Sequence, residues 1–77
     1  STPNETAILE KPIPGKTCAV SRDLLDYLGK KVYILGYGVF EVNDLMNKRY
    51  NRRIDLCMGK KEAVEFGKKE NIKVVFF

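Results

Sequence analysis

The order of apolar and polar residues predicts mostly short β-strands. Every second residue is apolar, as in half-buried strands, in the segments 31–36, 39–42, 53–58 and 72–77. A shorter apolar run at 17–20 predicts one more strand. The Tyr37-Gly38 dipeptide joins two of these segments closely, which indicates a hairpin or tight corner over 31–42.

Two short segments between the strands have the spacing of helices. Ser21 is a good N-cap for residues 22–28, and Gly29 stands where a helix commonly ends. Leu24, Leu25 and Leu28 would share one face of this helix. Pro12 and Pro14 argue against a helix or a central strand before residue 17, so 1–16 is predicted to be an irregular N-terminal arm.

A second helix is predicted after Gly59, over residues 60–69. Its apolar positions, which we expect to be buried, are Ala63, Val64 and Phe66. Because this helix joins strand 53–58 to strand 72–77, a parallel pairing is predicted there. Five or six short strands with two small helices favour a mainly β fold, a small barrel formed by residues 17–77 with helices in its connections.

Composition narrows the classes of partner without choosing one. The chain has 77 residues, a net charge of +4 and no histidine. A basic excess favours nucleic acid, anionic lipid or an acidic cell-wall polymer, and it fits a solvated surface equally well. No apolar run approaches the roughly 20 residues that a membrane span requires. We therefore predict no membrane span.

The cysteines and acids do not have the spacing of a metal site. Cys18 and Cys57 lie in apolar stretches without a CxxC pair, and two acids alone make a poor cation cage. We expect no metal and no cofactor. Two buried thiols are predicted, while a disulfide between them stays open, since it depends on whether their strands are neighbours.

Two aspartates, Asp44 and Asp55, are the candidate chemistry. Asp44 follows strand 39–42, and Asp55 is predicted to face away from Ile54 and Leu56. When two carboxylates are close, one keeps its proton more readily, which supplies a general acid of the kind that cleaves glycosidic bonds. Asp44 can also cap its own loop, and Asp55 can pair with Arg53 or a lysine of the last helix.

Three blocks of the chain resemble the 3D (Asp-Asp-Asp) domain family. They are "AVSRDLL" (19–25), "GKKVYILGYGVFEVNDLMNKRYNRRIDLCM" (29–58) and "EAVEFGKK" (62–69). The resemblance implies a six-stranded double-psi β-barrel over 17–77, similar to the catalytic barrel of membrane-bound lytic transglycosylase A. It also implies an extracytoplasmic location, in the cell wall, periplasm or medium, or in a phage virion.

The function implied by this resemblance is peptidoglycan cleavage by a lytic transglycosylase. Such enzymes break the β-1,4 bond from MurNAc to GlcNAc without water and leave 1,6-anhydroMurNAc. Asp55 in "RID" would be the acid/base, and Asp44 would help it keep its proton, orient it, or stabilise positive charge. The substrate-binding residues implied are Asn47, Lys48, Arg49, Arg53 and Ser21.

Two departures from the family keep a second interpretation open. Ser21 stands where the family commonly has its first aspartate, and "TAIL" (6–9) stands where it often has a "TASG"-like block. The alternative is a catalytically inactive barrel that binds cell-wall glycan or serves in assembly, with a second chain completing the cleft. A nucleic-acid binder is not favoured, since only Tyr50 interleaves with the basic loop.

Overall fold

The structure is a computed structural model, and it describes residues 11–77. Five strands, one 3₁₀ helix and one α-helix follow each other along this part of the chain. The strands are β1 Thr17–Val20, β2 Lys31–Ile34, β3 Gly38–Leu45, β4 Ile54–Leu56 and β5 Val74–Phe76. The 3₁₀ helix is Arg22–Tyr27, between β1 and β2, and α1 is Lys60–Phe66, between β4 and β5.

The strands form one curled half-barrel sheet in the order β4-β1-β3-β2-β5. β1 and β3 are parallel, whereas β4 pairs antiparallel with β1, and β2 pairs antiparallel with both β3 and β5. The hairpin predicted over 31–42 is confirmed as β2–β3. The predicted parallel pairing of 53–58 with 72–77 is wrong. Those segments form β4 and β5 at opposite edges, and the connection through α1 spans the opening between them.

Six apolar side chains of the inner sheet face form the core. They are Cys18, Val20, Val32, Ile34, Phe40 and Val42. The strict alternation of β2, with Val32 and Ile34 buried between exposed neighbours, confirms the predicted facing of that strand. Partly buried residues of both edge strands pack against this core, including Ile54 and Leu56 of β4. A chain this small buries only about 60% of its unfolded surface, so these few side chains carry much of its stability.

The segment after Val42 differs from the predicted loop at 44–52. β3 continues through Asn43 and Asp44 to Leu45, because its pairing with β1 extends that far. The pairing register skips Asn43, which gives a β-bulge opposite Cys18 and Ala19. The Asn43 amide nitrogen is buried without a hydrogen-bond partner among residues 11–77, so the bulge carries a desolvation cost.

Both helices differ in detail from their predictions. The first is a 3₁₀ helix with a kink at Leu24, and Ser21 occupies its N-cap without a side-chain capping bond. The predicted burial on the second helix is wrong. Ala63 and Val64 are exposed, Val64 by 77%, and only Phe66 is half-buried. α1 buries no residue because it lies over the opening of the half-barrel and not over the sheet face.

The described residues thus form a mainly β, five-stranded curled half-barrel with few short helices. A sixth strand and closure into a double-psi barrel stay predictions. Residues 11–16 contain no helix or strand, and most of the predicted arm, residues 1–10, lies outside the described part. Within residues 11–77, no helix is long and apolar enough to cross a membrane.

Two matched truncations test this assignment of the core. Val32 is fully buried, so Val32→Ala removes two methyl groups from the core, and we expect a loss of about 2 kcal/mol in the free energy of unfolding. Val64→Ala makes the same change at an exposed helical position and should alter stability by less than about 0.5 kcal/mol. Urea unfolding measures both, and equal losses would show that the assigned core is wrong.

Candidate functional site

An open groove lies between the two edge strands, where the half-barrel is not closed. Its volume is about 920 Å³, near the upper end of the range of roughly 300–1,000 Å³ for ligand pockets. Ile34, Ile54, Leu56, Val74 and Phe76 supply apolar surface. These side chains continue the apolar surface of the core to the opening of the half-barrel.

Polar and charged side chains stand on both sides of this groove. One wall is the chain entering β4, with Asn51, Arg52, Arg53 and Asp55. The opposite wall is the end of α1 and the segment that follows it, with Phe66, Gly67, Lys68, Lys69, Glu70 and Asn71. Apolar surface framed by a few polar groups is the usual composition of a ligand site.

The two candidate acids lie in one row across three strands. Ala19 pairs with Asp44 of β3 on one side and with Asp55 of β4 on the other. Paired residues point to the same face of a sheet, so both carboxylates lie on the outer face, separated by the small Ala19 side chain. Two strand spacings put their Cα atoms roughly 9–10 Å apart.

The surroundings of the two acids are different. Asp55 is exposed on the edge strand β4, where the outer face meets the groove, and it lines that groove. Asp44 is also exposed, but its Oδ1 accepts a bond of 2.8 Å from the next backbone amide, Leu45 N–H. Asp55 is therefore the acid of the pair that borders the groove, with Asp44 farther along the outer face.

The predicted basic loop forms a compact turn beside the groove. Asn47 Oδ1 accepts a bond of 3.0 Å from Arg49 N–H, and Lys48 is exposed in the same turn. The Arg49 guanidinium donates to Tyr50 Oη at 2.7 Å and lies 4.8 Å from the centre of the Tyr50 ring, while the Arg53 guanidinium lies 5.0 Å from it. Of the predicted binding residues in this loop, Arg53 alone lines the groove.

The Ser21 side chain is not on a surface that a ligand could contact. It is fully buried, and its Oγ accepts a bond of 2.9 Å from Arg53 N–H. The Ser21 N–H in turn donates to the Arg53 carbonyl oxygen at 2.9 Å. These bonds join the end of β1 to the start of β4, so in this structure Ser21 holds the groove wall together and is shielded from solvent.

Asp23 is a positioning residue for the chain that enters β4. Its two carboxylate oxygens accept bonds of 3.2 and 3.0 Å from Arg52 N–H. Arg52 has the left-handed backbone conformation, with φ of 54°, which is uncommon for a residue with a side chain. Asp23 therefore stabilises the turn that presents Arg52 and Arg53 to the groove.

The Ser21 hydroxyl near the Asp23 carboxyl is the main cause that lowers the pKa of that carboxyl. Desolvation opposes this shift, while the Arg52 N–H and guanidinium charge add to it. The Ser21 hydroxyl itself donates to the Arg53 carbonyl oxygen at 3.3 Å, a long distance for such a bond.

Both cysteines are free thiols, Cys18 on β1 and the half-buried Cys57 directly after the neighbouring strand β4. Cys18 is buried, and burial together with the nearby charge of Asp55 raises the pKa of its thiol to about 12. Cys18 pairs with Leu56 across the strands, so the following residue, Cys57, points to the opposite face of the sheet. This alternation explains why adjacent strands do not bring the two sulfur atoms together.

The second groove wall was not anticipated from the sequence. Phe66 packs edge-on against Tyr37, with ring centres 5.1 Å apart, and the Lys69 ammonium lies 5.3 Å from the Phe66 ring. The apolar positions of α1 suggested a core contact, and only the fold shows that they border an opening. Within residues 11–77, no group of three or more His, Cys, Asp or Glu residues could hold a metal ion.

Comparisons of the chain with protein-family models, with curated proteins and with solved structures give no match. The resemblance to the 3D domain therefore rests on its sequence motifs.

The pH dependence of stability tests the role of Asp23. A lowered pKa in the folded state means that the carboxylate stabilises the fold above its unfolded pKa of about 3.9, and that this contribution is lost as the pH falls through the folded pKa. We expect Asp23→Asn to be less stable than the native chain at pH 7, with the difference narrowing below about pH 4.

Urea unfolding between pH 2 and pH 7 measures this difference. Asp26→Asn is the matched control, since Asp26 is an exposed acid of the same 3₁₀ helix outside the groove. A difference that stays constant over the whole pH range, or one that narrows equally in the control, would contradict the assigned role.

Proposed function

We propose that this chain cleaves peptidoglycan as a lytic transglycosylase of the 3D type, with Asp55 as its acid/base. The observation that carries the proposal is the position of Asp55, an exposed acid on an edge strand beside an open groove. The motif "RID" predicted this acid. Asp44 lies on the same outer face but two strands away, with Ala19 between the two acids.

A single carboxyl group suffices for the proposed reaction. Asp55 in its acid form donates a proton to the glycosidic oxygen, and the bond from that oxygen to C1 of MurNAc breaks. The MurNAc C6 hydroxyl then attacks C1 and passes its proton to the Asp55 carboxylate. The acid is regenerated, no water is consumed, and the product carries a 1,6-anhydro ring.

A glycan strand in the groove would exclude water from the reacting groups, which strengthens the electrostatic interactions between them. Asp44 lies two strands away on the same face and does not contact Asp55 across Ala19. Asp44 would therefore act on the positive charge at C1 only through space. The aromatic rings of Tyr37 and Phe66 offer apolar surface for sugar faces.

We also propose a six-stranded double-psi β-barrel as the complete fold, and a location outside the cytoplasm or in a phage virion. Residues 11–77 leave β4 and β5 as free edges, and a six-stranded double-psi barrel requires one strand more. That strand would come from outside the described residues or from a second chain completing the cleft. Peptidoglycan as substrate implies action outside the cytoplasm or from a phage virion.

A specific observation favours the alternative, a barrel that binds glycan without cleaving it. Asp44 bonds its own strand end and does not line the groove, and Ser21, at the family's usual first aspartate, is buried. The acid that lines the groove then has no second acid of the motif beside it. Binding without chemistry needs only the apolar surface and the flanking polar groups.

Digestion of purified peptidoglycan separates the two functions. We expect the native chain to release 1,6-anhydromuropeptides, detected by mass spectrometry, and Asp55→Asn to lower that release by at least about 100-fold, as for loss of a general acid. Asp26→Asn should retain native activity, and Asp44→Asn should lie between the two.

Two results would contradict the proposal. Anhydro products from Asp55→Asn at the native rate would exclude Asp55 as the acid. No products from a native chain that still sediments with the wall polymer would exclude the enzyme and support the glycan-binding alternative. Circular dichroism of each variant checks that its fold is intact.

A further inference from the structure

The charged residues of the groove stand on both of its walls. Arg52 and Arg53 lie on the β4 side, and Lys68 and Lys69 lie across the opening on the segment that follows α1. Two acids, Asp55 and Glu70, accompany these four cations. The groove as a whole is therefore basic, and it has cations on both sides of the apolar surface.

Two of these cations are held over aromatic rings. The Arg53 guanidinium lies 5.0 Å from the centre of the Tyr50 ring, and the Lys69 ammonium lies 5.3 Å from that of Phe66. An aromatic ring attracts a cation without neutralising its charge. Each side chain is thus restrained at the rim of the groove and keeps its charge for a ligand.

Different side-chain contacts support these positions on the two walls. On the first wall, the Asp23 carboxylate bonds Arg52 N–H and Ser21 Oγ bonds Arg53 N–H. On the second, the edge-on contact of Phe66 with Tyr37 joins the end of α1 to the turn after β2. The two pairs of cations therefore have separate structural supports.

We infer that the groove recognises glycan strands that keep their acidic stem peptides, and that Lys68 and Lys69 determine this preference. The inference rests on the proposed function. A MurNAc unit stripped of its peptide keeps one carboxylate, on the lactyl group close to the sugar ring, whereas a stem peptide carries several carboxylates that extend farther from the glycan strand. Cations on both walls would pair with peptides that leave the strand on either side of the groove.

The volume of the groove agrees with a ligand larger than one sugar. About 920 Å³ of open space exceeds what a single ring fills, and the apolar surface is flanked by the amides of Asn51 and Asn71. A disaccharide would cover the apolar surface near Asp55. The first residues of its peptide would then reach the lysine wall.

The test compares two matched substrates. One is intact glycan strands, released in soluble form by an endopeptidase that cuts only the peptide cross-links, and the other is the same preparation after an amidase has removed its stem peptides. Isothermal titration calorimetry measures binding to each, and release of anhydro products measures cleavage. We expect the native chain to bind intact material at least about fivefold more tightly, as two exposed charge pairs allow, and the preference to shrink at high salt.

A double variant and a charge-matched control test whether Lys68 and Lys69 cause this preference. Lys68→Ala with Lys69→Ala should bind the two substrates equally, within about twofold. Lys60→Ala with Lys61→Ala removes the same charge from the exposed start of α1, outside the groove, and should keep the native preference. All four lysines are exposed, so neither double variant removes a core contact.

The outcomes separate this inference from the proposed function. Equal binding and cleavage of both substrates by the native chain would overturn the inference and leave the transglycosylase proposal standing. Preferred binding of intact material without any cleavage would support the inference and overturn the enzyme. Loss of the preference in the Lys60/Lys61 control, or no binding to either substrate, would overturn the inference.

Discussion

The parallel pairing of β1 with β3 is the constraint on which the other parts of this structure depend. β1 has four residues, yet it pairs with β3 on one side and β4 on the other. Its inner residues, Cys18 and Val20, enter the core, and Ala19 on the outer face separates the two acids. Moving β1 by one residue would exchange these faces and bury Ala19 in place of Cys18 or Val20.

The end of β1 extends this constraint to the groove. Ser21 bonds both backbone groups of Arg53, and Asp23, two residues later, bonds Arg52 N–H. The chain entering β4 is therefore positioned by the same segment that fixes the acid row. The opposite wall has weaker ties to the sheet, since α1 buries no residue and contacts Tyr37 through Phe66. One side of the groove is thus closely held, and the other is attached mainly by one aromatic pair.

Much of the strand pattern could be predicted from local alternation. The buried Val32 and Ile34, the hairpin, and the outward position of Asp55 all follow from a period of two, which is a local property. The pairing of distant strands could not be predicted in this way. The connection through α1 suggested that β4 and β5 are parallel neighbours, but the parallel pair is β1 and β3. Which strands become neighbours depends on the curl of the whole sheet, and a local pattern does not show that curl.

Only the part of the candidate site that belongs to a sequence motif could be predicted. "RID" pointed to Asp55, which lines the groove. The basic run pointed to Asn47, Lys48 and Arg49, which form a turn beside it, because a run of charges does not tell which members face a ligand. Lys68 and Lys69 had no signal of their own, since lysines after a helix are ordinarily solvated and only the open sheet edge brings them opposite Asp55.

We propose that the groove beside Asp55 binds a peptide-bearing glycan. Titration of the ¹⁵N-labelled chain with a disaccharide-peptide muropeptide, followed by two-dimensional NMR, tests it most directly. We expect shifts in the backbone amides of 52–56 and 67–71, on the two walls, with little change at Tyr33 and Val75 on the outer face of β2 and β5. Shifts confined to that outer face, or none at millimolar ligand, would contradict it.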